Sequence, residues 1–349
     1  MGETWQCLSR CGLVSNVTLS IMARDSRIDS IKGLLIILVI LGHVITILDN
    51  NNFINHGVMG LIYVFHMPLF ILISGYLTKN PDQQSAQGMW RGVLRIFIPL
   101  VIFHVLSSIT VSLTGGSFRN AMIYFPYGVL WYLMCLIYWR VILYYTPRAL
   151  RQRPLLYLGI AFLVTMMCGF TKLGNILSIQ RGLNFYTFFL LGYYYRQGQL
   201  STRWWKANAL HGILALVLLP TIFLLYPRCG NIMNGADYYT FKDLPEKFFI
   251  VTCSVAMSLL VFNLMREVKW LTSLGIDSLF YYLYHYFIIA FVITPLVDYF
   301  NLPLTFPFIL IYTAVIIAII YLMGKIKIFR WFVHPGRENK PSEKQIKTN

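Results

Sequence analysis

Hydrophobic positions in this chain come in long blocks, separated by short polar segments. Ten apolar runs recur, at about 31–48, 57–77, 93–113, 126–145, 155–170, 182–196, 208–226, 247–264, 278–298 and 303–324. A helix of about 20 mostly apolar residues spans the roughly 30 Å hydrocarbon core of a bilayer. The pattern therefore predicts an all-α polytopic membrane protein with about ten transmembrane helices. The fifth and sixth runs are short and are expected to tilt or to insert partially.

Composition strengthens that reading. Of 349 residues, 57% are hydrophobic and 12% charged, against about 25% charged in soluble domains. The net charge of +16 is explained by its distribution. With a cytoplasmic N-terminus, 23 of the 29 Lys and Arg fall in inside segments, which places both termini in the cytoplasm. No basic soluble region is left over, so nucleic acid is excluded as a partner. The six cysteines show no metal spacing beyond the isolated Cys7/Cys11 pair, and neither a metal site nor a disulfide framework is expected.

Three regions follow. Residues 1–26 form an N-terminal cytoplasmic extension without a long apolar stretch, so no signal peptide is expected. Met22 precedes ARDSRIDSIKG, a sequence that could itself begin the chain, and 1–21 is expected to be dispensable. Residues 27–325 form the membrane domain. Residues 326–349 close the chain as a basic, then polar tail; from Lys325 onward it is expected to be disordered and to touch anionic lipid.

Candidate chemistry centres on the first run. Lys32 and His43 are eleven residues apart, three helical turns, so they share a face about 16 Å apart along the axis. A cation at the membrane surface is thereby aligned with a base inside the bilayer. Ionisable side chains at that depth are costly, which favours function over packing, and imidazole suits general-base work on a hydroxyl. Asp29, three residues before Lys32, is spaced for an ion pair but lies too far from His43 to orient it. That partner is expected from another helix.

In FHMPLFILISGYL (65–77), Pro68 frees a backbone carbonyl and Ser74-Gly75 permits close backbone approach. His66 would complete a site if it faced His43. Arg91 and Arg95 share one helical face at the cytoplasmic end of the third run, an arrangement that suits a bound polyanion. Lipid headgroups would satisfy the pair equally. His104 and His211 are read as structural, and His285 as a further site candidate. Trp131 is read first as an interface anchor and second as a sugar platform. The outer connection Pro227–Glu246, with Asp237, Asp243, Glu246, Tyr238 and Tyr239, suits a polar sugar-like ligand or plain solvation. No carboxylate lies near the middle of a predicted helix, which argues against proton-driven transport. No P-loop, nucleophile elbow or zinc motif is present.

The stretches R-x-D-x-x-K-G…ILVILGH (27–43), FHMPLFILISGYL, R-x-x-x-R-x-x-x-P (91–99), LWYL (130–133), FFLLGYY (188–194) and LGIDSLFYYLYH (274–285) occur in that order. Together they resemble the integral-membrane acyltransferase family three, particularly its fucose 4-O-acetylase-like branch, over residues 27–325. The resemblance implies transfer of an acyl group from acetyl-CoA to a hydroxyl, the acceptor being a cell-surface glycan or lipid-linked sugar. It implies a bacterial cytoplasmic-membrane enzyme with His43 as its functional histidine. Lys32 stands where many members carry arginine, and Arg91 and Arg95 are four apart where three is common. The expected donor site is Lys32, Arg91 and Arg95, with Asp29, His66, Ser74, Trp131 and His285 in support and no metal. The rival reading is a transporter or flippase for a lipid-linked or polar metabolite. Acceptor-dependent acyl-CoA turnover separates the two.

Overall fold

The computed structural model describes residues 25–48, 53–113, 126, 128–171, 173, 176–200, 217, 220 and 240–335; these form helices and turns, with no strand among them. The principal helices are α1 (Ser26–Leu48), α2 (Phe53–Tyr76), α3 (Ala86–Leu113), α4 (Trp131–Tyr145), α5 (Pro154–Met167), α6 (Ile179–Arg196), α7 (Leu244–Leu264), α8 (Lys269–Ile276), α9 (Ser278–Ile288), α10 (Phe306–Met323) and α11 (Lys327–Val333). Helix α9 runs on through a π turn, Ile289–Ile293, and a last stretch, Thr294–Phe300.

Eight helical stretches among the described residues are long and apolar enough to cross a membrane. They match eight of the ten predicted runs, and the chain is an all-α polytopic membrane protein. The sixth run is helix α6, whose Gln180, Arg181, Asn184 and Thr187 dilute its apolar character. The seventh run (208–226), apart from residues 217 and 220, lies outside the described residues, as do His211, Asp237, Tyr238, Tyr239, 1–24 and 336–349.

Glycines set how closely the helices pack. In place of Gly75 on α2, an added Cβ would strike the Phe189 carbonyl of α6; at Gly192 of α6 it would strike the Leu72 carbonyl of α2. Gly33 of α1 and Gly275 of α8 stand in the same reciprocal relation, against the carbonyls of Leu271 and Asp29. Backbone-to-backbone packing of this kind replaces the hydrophobic drive that is missing between helices in lipid. It confirms the close approach expected at Ser74-Gly75.

Polar clasps gather at one end of the bundle, called the basic end below. Arg151 pairs with Asp82 at 2.8 Å and Arg330 with Asp277 at 3.1 Å. Ser30 Oγ accepts from the Val268 amide at 2.9 Å, tying α1 to the start of α8. The expectation of a disordered tail from Lys325 does not hold over its first part. Lys327–Val333 is a helix because three contacts hold it: the Arg330 pair, the Tyr284 hydroxyl donating to Phe329 O at 3.0 Å, and Val333, buried at its end.

Candidate active site

A cavity of about 660 Å³ opens at the basic end between α3, α4 and the end of α11. Lys79, Arg91, Arg95 and Arg140 line it, and none of its described lining residues is acidic. Other cations at this end do have carboxylates: Arg151, Arg330, and Lys32, whose Nζ donates to Asp29 at 3.0 Å. No ion pair to a described carboxylate is found for Lys79, Arg91, Arg95 or Arg140. Four cations around one cavity without a described countercharge raise the local positive potential and favour an anion among them.

The basin narrows into a second cavity of about 200 Å³, lined by Lys32, Ser74, Tyr132, Arg140 and Tyr282 among others. Leu77, Ile96, Arg140 and Leu279 line both spaces and form the neck between them. Ser74 Oγ donates to Phe70 O at 2.9 Å, so the Tyr132 hydroxyl donates to Ser74 at 2.6 Å. The Tyr282 hydroxyl donates to Val129 O, and its ring lies 5.5 Å from that of Tyr132. These bonds fix the inner walls.

Beyond Tyr282 the structure assembles three histidines that the sequence places on separate helices. The His285 ring lies 5.1 Å from His43 and 5.9 Å from Tyr282. His66, 4.9 Å from the Tyr63 ring, is close enough for charge on His43 to act on it. The orienting partner of His43 differs from expectation. Its Nδ1 is 2.9 Å from Val39 O, the carbonyl one turn back on its own helix. His66 bonds to Ile62 O at 2.7 Å and His285 to Tyr281 O at 3.1 Å in the same way. A carbonyl only accepts, so each Nδ1 carries the proton and each Nε2 keeps its lone pair. His66 and His285 are 2% and 0% exposed, whereas His43 is half-buried. Of the three, His43 is the most exposed.

On the side of His43 away from the basin lies Arg181, in the first turn of α6. Its guanidinium sits 5.5 Å over the Trp131 ring, which stacks on Phe185 at 5.5 Å. Its charge acts on His43, Tyr63 and Tyr282, and no described carboxylate pairs with it. A sharp corner points it inward: Leu177 and Ser178 have φ of 48° and 54°. Helix α4 pins that corner through Tyr138 OH to Leu177 O at 3.2 Å and Trp139 Nε1 to Gly182 O at 2.8 Å. Trp131 is half-buried, between Arg181 and Phe185.

Of the nine residues singled out by the sequence, four line the two cavities and five do not. Arg91 and Arg95 line the basin and Lys32 and Ser74 the inner cavity; His43, His66 and His285 form the histidine cluster, and Trp131 lies on the far side. Asp29 holds Lys32. Two residues were missed. Arg140 lies five residues inside the end of a predicted membrane run, where a cation signals function. Arg181 falls one residue before the predicted start of its helix.

A family profile described as "Acyltransferase domain" matches residues 25–324. The chain belongs to this acyltransferase family. It is similar to two curated proteins named Nodulation protein NolL. One, from Sinorhizobium fredii (strain NBRC 101917 / NGR234), is 49% identical over 88 residues; the other, from Mesorhizobium japonicum (strain LMG 29417 / CECT 9101 / MAFF 303099), is 35% identical over 88 residues. In each case the match spans 24% of this chain and 24% of the relative. No solved structure matches.

Proposed function

We propose that this chain is a membrane O-acyltransferase that moves an acetyl or other short acyl group from acetyl-CoA to a hydroxyl of a cell-surface carbohydrate or lipid-linked sugar. The observation that carries the reading is a cation-lined basin that opens into the Lys32–Tyr282 cavity, with His285 and then His43 behind the Tyr282 ring. A CoA thioester has the matching shape: a polyanionic nucleotide at one end, a thin uncharged arm, and the reacting carbonyl at the other. Extended inward from Lys32, the arm covers a distance comparable to the roughly 16 Å between Lys32 and His43.

His43 Nε2 takes the proton of the acceptor hydroxyl as its oxygen attacks the thioester carbonyl. The C–S bond then breaks, the acyl group stays on the acceptor oxygen as an ester, and the sulfur leaves to be protonated by the imidazolium. Arg181 supplies positive charge where the carbonyl oxygen becomes negative. Trp131 offers an aromatic face to the acceptor, which enters from the side opposite the basin. His66 and His285, buried behind His43, shape the pocket in which its Nε2 works.

The basin faces the cytoplasm in this reading, the side that holds 23 of the 29 Lys and Arg by the sequence count and that supplies CoA thioesters. The rhizobial relatives support a bacterial cytoplasmic membrane. The fucose 4-O-acetylase-like branch is the proposed place within the family.

The test uses purified protein in nanodiscs with acetyl-labelled acetyl-CoA and a mixed pool of surface glycans. Label moves onto glycan with the wild type and not with a folded His43→Ala protein. Transfer that survives His43→Ala would remove the base. Acceptor translocation without any label transfer would replace the enzyme with a transporter.

A further inference from the structure

Arg140 occupies the neck between the two cavities and lines both. Its Nε is buried without a hydrogen-bond partner, and no described carboxylate pairs with its guanidinium. It lies five residues from the end of α4, roughly 7–8 Å deeper than that end. Gly92 of α3 faces it: a Cβ added there would meet Arg140 Nη1 at 3.8 Å, its sole neighbour within 4 Å. An open space therefore adjoins an uncompensated arginine inside an apolar helix. Structural arginines at such depth pair with a carboxylate or with carbonyls; this one has a buried donor left over, and its Nη1 borders the space at Gly92.

Resting on the donor reading above, we propose that Arg140 binds the diphosphate of the acyl-CoA donor, as the inner anion site of the basin. The order of groups in the donor decides which phosphate it meets. With the thioester at His43 and the uncharged arm in the inner cavity, the first anionic group back along the molecule is the diphosphate, which falls at the neck. The 3′-phosphate then falls in the wide part, among the exposed Lys79, Arg91 and Arg95. Arginine's planar fork suits two adjacent phosphate oxygens.

The experiment measures transfer kinetics in nanodiscs with three donors: acetyl-CoA, acetyl-3′-dephospho-CoA and S-acetylpantetheine, which carries no phosphate. Arg140→Ala is expected to raise KM for both nucleotide donors by about 10- to 100-fold, the range of a lost charge-assisted hydrogen bond. It should leave kcat/KM for S-acetylpantetheine unchanged, and Arg140→Lys should recover part of the loss. A loss of equal size with all three donors would make Arg140 structural and overturn the proposal. So would an unchanged KM for acetyl-CoA, and so would a difference between wild type and variant that exists only when phosphatidylglycerol replaces phosphatidylcholine, which would assign Arg140 to lipid. If Arg140→Ala does not fold, Gly92→Glu carries the same test by setting a carboxylate beside the intact guanidinium. A wild type that transfers from S-acetylpantetheine but gains nothing from the nucleotide would overturn Arg140 as a donor site and leave acyl transfer standing. A wild type that uses no thioester removes both readings.

Discussion

The chemistry concentrates in a few side chains whose neighbours are not their sequence neighbours. His43 could be recognised from its depth in an apolar run and from its three-turn alignment with Lys32. Its tautomer could not, because that depends on Val39 O lying 2.9 Å from Nδ1. Replacing His43 with alanine should lower kcat by about 10²–10⁴-fold, the usual contribution of general-base catalysis, while CoA binding measured by calorimetry stays intact. Arg181→Ala should lower kcat by about 10²–10³-fold, as loss of an oxyanion donor does, without raising KM for acetyl-CoA, since Arg181 is remote from the basin. An effect on KM alone would assign Arg181 to substrate binding. Asp29 and Lys32 form their expected pair at 3.0 Å, so Lys32 is a partly compensated charge.

At the scale of helices, the sequence marked where spans begin and end but not which faces meet. The glycine contacts decide that. Gly75→Ala on α2 should lower stability by about 1–3 kcal/mol or more, because the new methyl meets the Phe189 carbonyl and backbone must move. Gly159→Ala on α5 is the control: nothing lies within 4 Å of its added Cβ, and helix propensity alone predicts a gain of about 0.5–1 kcal/mol. Thermal unfolding in one detergent compares the two, and equal shifts would refute the packing argument. Helix α6 was the least legible element. Its polar residues argue for a weak span, yet they are buried partners: Asn184 accepts from Lys247 and Thr187 bonds to Thr165 at 2.8 Å. A polar residue in a membrane helix is read correctly only once the facing helix is known.

Across the whole molecule, charge is sorted rather than balanced. At the basic end Lys32, Arg148, Arg151 and Arg330 pair with described carboxylates, and the four cations lining the basin do not. Donor binding should therefore weaken as ionic strength rises from about 0.05 to 0.5 M, because exposed charges are screened over a shrinking Debye length. Transfer from S-acetylpantetheine should show no such dependence, and a salt effect of equal size on both donors would refute an electrostatic donor site.

Amino-acid order alone determined the class of this protein. Apolar blocks too long to stay in water fix a multi-span helical membrane protein, and the spaced motifs with His43 at their head pointed to its acyltransferase family. Local rules suffice for these, since span length, charge bias and residues on one helix face are set within a single segment. Only the tertiary structure decided that His66 and His285 join His43, that Trp131 lies under Arg181, and that Arg140 stands at a neck. Those are meetings of side chains far apart in sequence. They depend on crossing helices held at glycine contacts, and on a left-handed corner at Leu177–Ser178, which no helical period announces.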